Sequence, residues 1–95
     1  MEIVYKKLKD LVPYDNNPRD NEEAVGFVLE SIKQFGFKIP VVITPEGVIV
    51  CGHTRFLAAQ RLKMKEVPCV IADDLTEEQI RAYRLADNKT GELAG

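Results

Sequence analysis

Hydrophobic residues in this chain follow two spacings, and the switches between them mark its elements. Ile3-Val4-Tyr5 opens a β-branched and aromatic run that reads as a strand extending toward Leu8 and Leu11. Pro13, which cannot donate to a ladder, ends it. Tyr14-Asp15-Asn16-Asn17-Pro18-Arg19-Asp20 is dense in turn formers. Asp20 followed by Glu23 has the form of a helix start. Val25, Val28, Leu29, Ile32 and Phe35 then recur at helical spacing as an inner stripe, and Gly36 supplies the stop.

The second half repeats the alternation. Val41-Val42-Ile43 and Val48-Ile49-Val50 read as two strands of a hairpin turned by Pro45-Glu46-Gly47. The second strand runs through Cys51 and Gly52 into alanine- and leucine-rich helix former, ending near Leu62. Lys63-Met64-Lys65-Glu66 connects to Val67-Pro68-Cys69-Val70-Ile71, a strand whose Pro68 belongs near an edge or at the strand's start. Thr76 with Gln79 matches a capping box and Leu75 with Ile80 a hydrophobic staple, which predicts a helix from about Glu77. Its predicted inner stripe is Ile80, Tyr83 and Asp87, and Thr90-Gly91 is its expected end. The order of elements predicts a small α/β (α+β) fold, a mixed sheet of about four strands with three main helices.

Ninety-five residues make a single domain, 1–95, and its untidy end at Gly95 suggests a domain cut from a longer chain. A formal charge of −2 gives no general attraction for DNA, so a nucleic-acid role needs a local patch or another segment. With no signal-peptide pattern and no apolar run near ~18 residues, the expected location is cytoplasmic, away from membranes. Cys51 and Cys69 sit inside apolar strands, as buried reduced thiols do. Cys51, His53 and Cys69 fall short of the four ligands of a structural zinc site.

The stretch from Val48 to Leu62 carries the candidate chemistry. A strand that passes through glycine into a helix leaves the first N–H groups of that helix at the end of a sheet, an anion-binding arrangement. Arg55 shares a stripe with Ala58, Ala59 and Leu62, so it should face the protein. A cation in a first helical turn also opposes the dipole by about 0.3–1 kcal/mol. An anion such as a phosphate, lying between Arg55 and the helix terminus, resolves both oddities; an outward fold or a carboxylate partner is the plain alternative.

Two further positions admit two readings each. The Tyr14–Asp20 turn either links strand to helix or holds Arg19 toward a ligand. Asp87 either accepts from a neighbour such as Arg84 or, with Asn88, holds Mg²⁺ together with substrate phosphates. His53 fits near the helix N-cap or at the mouth of the pocket.

Three stretches taken together resemble the N-terminal domain of ParB-like proteins, in the ParB/sulfiredoxin superfamily, over essentially the whole chain. Leu11 to Arg19 resembles the first ParB box, which ends in Pro-Arg. Ser31 to Gly36, with Pro40 to Ile43, resembles the helix-then-strand segment that follows. Gly52-His53-Thr54-Arg55-Phe56-Leu57-Ala58-Ala59 resembles the Gly-Glu-Arg-Arg-type box with its alanine pair.

The resemblance implies a nucleotide pocket. In partition-type ParB proteins these boxes bind CTP with Mg²⁺, and the arginine matching Arg55 meets the phosphates. Arg19 matches the arginine of the first box, so the implied nucleotide-binding set is Arg19, Gly52, His53, Thr54 and Arg55. Asp87-Asn88 resembles the Glu-Asn pair of the third box, which implies a metal role with a shorter carboxylate. His53-Thr54 stands where partition proteins have Glu-Arg, one phosphate-facing cation fewer, so the resemblance does not choose between CTP and ATP or ADP. Sulfiredoxins place a catalytic cysteine directly after the box glycine; here that position is His53, which argues against sulfinic acid reduction.

The stretch through Leu85-Ala86-Asp87-Asn88-Lys89-Thr90 is most similar to ParB-like domains of phage and mobile elements. These often precede a DNA methyltransferase or another DNA-acting segment. The implied function is a nucleotide-phosphate-binding switch or adaptor module of a protein working in partition, transcription or DNA modification. Its partners would be a nucleotide, DNA through segments outside these residues, and a second copy in a homodimer. The alternative is a nucleotide-dependent enzyme, an NTPase or small-molecule kinase, since phosphoryl transfer is mostly positioning and electrostatics. A nuclease ranks third, because a two-metal site would need the Glu77/Glu78 end to fold in.

Overall fold

The computed structural model describes residues 2–14 and 22–94, with side chains as far as residue 86. Strand β1 (Ile3–Lys7) is followed by a 3-10 turn (Leu8–Asp10), helix α1 (Glu22–Phe35) and strands β2 (Val41–Ile43) and β3 (Ile49–Cys51). Helix α2 (His53–Arg61), strand β4 (Glu66–Ile71) and helix α3 (Glu77–Ala94) complete the chain. The four strands form one mixed sheet in the order β1-β4-β2-β3. β2 lies parallel to β4, whereas the β1–β4 and β2–β3 pairs are antiparallel.

The alternation of strand residues explains the layering. Val41, Ile43, Ile49, Val67 and Cys69 turn toward Phe56 and Ala59 of α2, and Leu11 closes the same cluster. α1 packs on α2, and α3 lies against β3. At the β2–β3 pair the register slips by one residue: Val42 stands opposite Cys51, but Ile43 stands opposite Ile49. This irregularity falls immediately before the Gly52 corner, a place where bulges commonly redirect a strand.

Four sequence expectations are corrected. The first strand stops at Lys7; the chain then coils into the 3-10 turn, and Leu11 reaches the core from the following extended segment. That segment pairs with the hairpin through an isolated Val12–Val48 bridge. Phe35 does not belong to the inner stripe of α1; it is 63% exposed, whereas Val25 is buried and Val28, Leu29 and Ile32 are half-buried. On α3 the half-buried residues are Ile80 and Arg84, while Tyr83 is exposed, so the helix is rotated from the predicted Ile80–Tyr83–Asp87 stripe. α3 also continues past Thr90-Gly91 to Ala94, which puts Asp87 well inside the helix and away from its C-terminal end.

The predicted stops and starts have clear physical causes. Gly36 adopts φ +86° and donates to the Ile32 carbonyl at 2.9 Å, closing α1. Gln79 N–H donates to Thr76 Oγ1 at 3.2 Å, and Thr76 N–H donates to Gln79 Oε1 at 2.9 Å, a reciprocal cap for α3. The hairpin turn is tied by Thr44, whose hydroxyl accepts from Val48 N–H at 3.1 Å.

Candidate functional site

β3 ends at the buried Cys51, and the chain turns on Gly52 in the left-handed region, with φ +97° and ψ 25°. An L side chain there would cost roughly 1–2 kcal/mol. Gly52 takes the N-cap position of α2 and, being glycine, supplies no side-chain cap of its own. Phe56 N–H donates to the Gly52 carbonyl at 2.9 Å, the first intrahelical bond. The positive end of the helix dipole therefore stands at the corner.

Arg55 lies inward, as its stripe predicts. Nη2 donates to the Pro40 carbonyl at 3.0 Å, which joins α2 to the start of β2. The guanidinium is folded against the Cα of Gly52, so close that a Cβ on residue 52 would stand 2.8 Å from Nη2. A hollow of about 180 Å³ opens beside it between α1 and the Gly36–Ile39 connection. Val28, Ile32, Phe37 and Ile39 make its walls apolar; Ser31, Lys38 and Arg55 are its polar groups. Small-molecule pockets usually measure about 300–1,000 Å³, so this hollow is smaller than a whole nucleotide requires.

His53 begins α2 and is half-buried, its ring 6.3 Å from that of Phe56 at 29°. Thr54 is half-buried in the same turn. Gly52, His53, Thr54 and Arg55 thus form one cluster. Arg19 lies outside the described residues. Asp87 and Asn88 belong to the backbone of α3, and their side chains are likewise outside the described set. Among the described residues no three His, Cys, Asp or Glu side chains gather to hold a metal, and Glu77 and Glu78 are exposed at the start of α3.

One arrangement was not predicted. Arg84 of α3 donates from Nη2 to the Ile49 carbonyl of β3 at 3.1 Å. Its guanidinium carbon sits 3.7 Å from the centroid of the Tyr14 ring. The only sequence signal was its offset of four from Ile80, which a correct rotation of α3 would have turned inward. Cys51 and Cys69 are both buried and are not joined in a disulfide. Burial pushes the Cys69 thiol above its ordinary value, only partly offset by Lys6.

Comparison with known proteins agrees with the architecture. The profile of the ParB N-terminal domain matches residues 2–89. The chain is 46% identical over 80 residues to the ParB-like nuclease domain-containing protein YnaK of Escherichia coli K12, covering 83% of this chain and 92% of that one. It is 30% identical over 91 residues to the chromosome-partitioning protein Spo0J of Thermus thermophilus, which spans 90% of this chain but 34% of Spo0J.

Among solved structures, C-terminally truncated ParB of Caulobacter crescentus in complex with CTP-γ-S superposes with a TM-score of 0.79 at 25% identity, covering 93% of this chain and 53% of that one. Sulfiredoxin of Arabidopsis thaliana shares the fold, with a TM-score of 0.71 at 24% identity over 87% of this chain and 97% of that one. A free serine kinase in complex with AMP gives 0.67 at 25% identity, over 79% of this chain and 32% of the kinase. The match to Spo0J spans about a third of that protein, and the match to the Caulobacter chain about half. No helix among the described residues is long and apolar enough to cross a membrane. The chain belongs to the ParB N-terminal domain family and has the ParB/sulfiredoxin fold.

Proposed function

We propose that this domain binds the phosphate groups of a nucleotide at the Gly52–Arg55 corner and acts as a switch or adaptor module of a DNA-associated protein. One observation carries the reading. Arg55 is held beside the start of α2, its guanidinium folded over a glycine N-cap that brings no side chain of its own. A fixed cation in the first turn of a helix is suited to a phosphate, and the same Arg55 borders the small hollow between α1 and the Gly36–Ile39 connection. The CTP-γ-S of the Caulobacter structure and the AMP of the serine kinase structure support a nucleotide as the phosphate's carrier.

In this reading Gly52, His53 and Thr54 offer backbone N–H groups and Arg55 the charge. Arg19 approaches from the segment following Tyr14, and Asp87 with Asn88 holds Mg²⁺ on the ligand. DNA is engaged by segments outside these residues, and the domain works as a homodimer. Titration of CTP, ATP, ADP and GTP with Mg²⁺ tests the reading, which expects saturable binding of at least one nucleotide. Absence of binding by all four overturns it.

The serine kinase likeness supports a second reading, phosphoryl transfer from the bound nucleotide to a small hydroxyl-bearing molecule. Incubation with γ-labelled nucleotide, with and without serine, separates the two. A switch leaves serine unlabelled; a kinase moves the label.

A further inference from the structure

We infer that two copies of this chain pair edge to edge through β1, antiparallel about a two-fold axis at Val4, with Glu2 of each copy opposite Lys6 of the other. The inference is independent of nucleotide binding and gives the homodimer proposed above a defined surface.

β1 is the outermost strand on one side of the sheet, and its ladder runs along one edge only, to β4. No strand among the described residues pairs with its other edge, and such an edge is a template on which a further strand adds. The 3-10 turn leads the chain away from that edge, because Leu8 N–H donates to the Lys65 carbonyl at 3.1 Å. Val4 packs on the core cluster with α2, so Ile3 and Tyr5 stand on the opposite face of the sheet. Both are exposed, Ile3 by 53% and Tyr5 by 65%.

Charge identifies the strand that fits. Glu2, Asp73 and Asp74 border a hollow of about 240 Å³ at the start of β1. Lys7, Lys9 and Lys65 border another of about 680 Å³ at its end, where Glu66 is the one acid, and Lys6 adjoins them in the strand. None of these three acids Glu2, Asp73 and Asp74, nor of the four lysines, is in an ion pair among the described residues. An edge that is acidic at one end and basic at the other complements itself when turned through a half-turn. That is the condition an isologous two-fold contact must meet. A nucleic acid drawn to the lysines would be repelled by the acidic end, and a peptide of one sign would satisfy one end alone.

The side chains also select a register. Residues directly opposite in an antiparallel pair share a face of the sheet, so the axis passes through a residue of β1. With Val4 on the axis, Glu2 faces Lys6 and Ile3 faces Tyr5 of the other copy, each pair occurring twice. Opposite charges and a β-branched residue against an aromatic ring are stabilising cross-strand pairs. With Tyr5 on the axis, Lys6 would face Val4 and Lys7 would face Ile3, and no charge would be matched. With Ile3 on the axis, Glu2 would face Val4 and Lys6 would find no partner in the strand. A strand of five residues makes a small contact, so the dimer is expected to depend on concentration.

Sedimentation analysis across a wide range of concentration tests this on the wild type, Lys6→Glu, Glu2→Lys and an equimolar mixture of the two variants. The wild type should pass from monomer to dimer as concentration rises. In either variant alone like charges face each other twice, and self-association should weaken by about tenfold. In the mixture each reversed residue meets its opposite, and dimers should return to the wild-type level. Tyr5→Ser, at an exposed position, should also weaken the dimer several-fold, with every variant keeping the wild-type circular dichroism spectrum. A wild type that stays monomeric throughout overturns the inference. A dimer indifferent to Lys6→Glu, or a loss that mixing does not restore, also overturns it and puts the contact elsewhere. Glu2, Tyr5 and Lys6 lie outside the Gly52–Arg55 corner, so nucleotide titration of the same variants separates the two proposals. Nucleotide binding by a strictly monomeric chain strikes this inference alone, and a charge-swapped dimer that binds no nucleotide strikes the nucleotide reading alone.

Discussion

Arg55 and Gly52 occupy almost the same space: an ideal Cβ on residue 52 would stand 2.8 Å from Nη2, 3.1 Å from Cζ and 3.3 Å from Nε of the arginine. The guanidinium can lie there only because residue 52 has no side chain. That glycine also carries the positive φ from which α2 starts. One residue therefore opens the helix terminus and seats the cation beside it.

Gly52→Ala should fold and fail at the site. The left-handed backbone costs about 1–2 kcal/mol for an L residue, and roughly 4–8 °C of melting temperature is lost per kcal/mol in a domain of this size. The new methyl meets the far end of a flexible side chain, so Arg55 moves and the backbone holds. Nucleotide affinity should fall toward that of Arg55→Ala while the circular dichroism spectrum is retained. Wild-type affinity in Gly52→Ala would separate the close packing from binding.

Phe35 and Phe56 share a residue type and differ in consequence. Phe56 is 2% exposed and central to the cluster between α2 and the sheet. Phe56→Ala should cost about 3–5 kcal/mol, seen as a large drop in the urea midpoint. Phe35→Ser removes an exposed ring and should shift the midpoint by no more than about 0.5 kcal/mol equivalent. Comparable losses in the two variants would contradict the described core.

The Cys69 thiol is shifted above its ordinary value of 9.0 by burial, so the folded state keeps this proton after the unfolded chain has released it. Proton binding then favours the native state increasingly less as pH rises past 9.0. Stability from this group is intact below that value and is lost above it, up to the raised native pKa. Urea denaturation across pH 7 to 11 should show the decline, and Cys69→Ala should flatten this contribution. A stability that rises through this window in the wild type only would contradict the burial of the thiol.

Local chemistry was legible in the sequence wherever a residue acts on its own neighbours. Gly36 ends α1, Thr76 and Gln79 start α3, and the turn before Val48 folds the hairpin, all through contacts a few residues long. The run from Val50 through Gly52 announced a strand-to-helix corner, and the stripe of Arg55 with Ala58 and Ala59 gave its direction. Contacts between distant residues were not legible. The bridge of Val12 to Val48, the donation from Arg55 to Pro40 and the reach of Arg84 to Ile49 each depend on how layers dock. Rotation of α3 shows the difficulty: Ile80 fits a stripe with either Tyr83 or Arg84, and only packing against β3 turns Arg84 inward.

The most direct measurement is calorimetric titration of CTP, ATP, ADP and GTP, each with Mg²⁺, onto wild type and Arg55→Ala. The wild type should saturate with at least one nucleotide. Arg55→Ala should lose ten-fold or more in affinity, about 1.4 kcal/mol, with its circular dichroism spectrum retained. Equal binding by the two proteins would contradict the account.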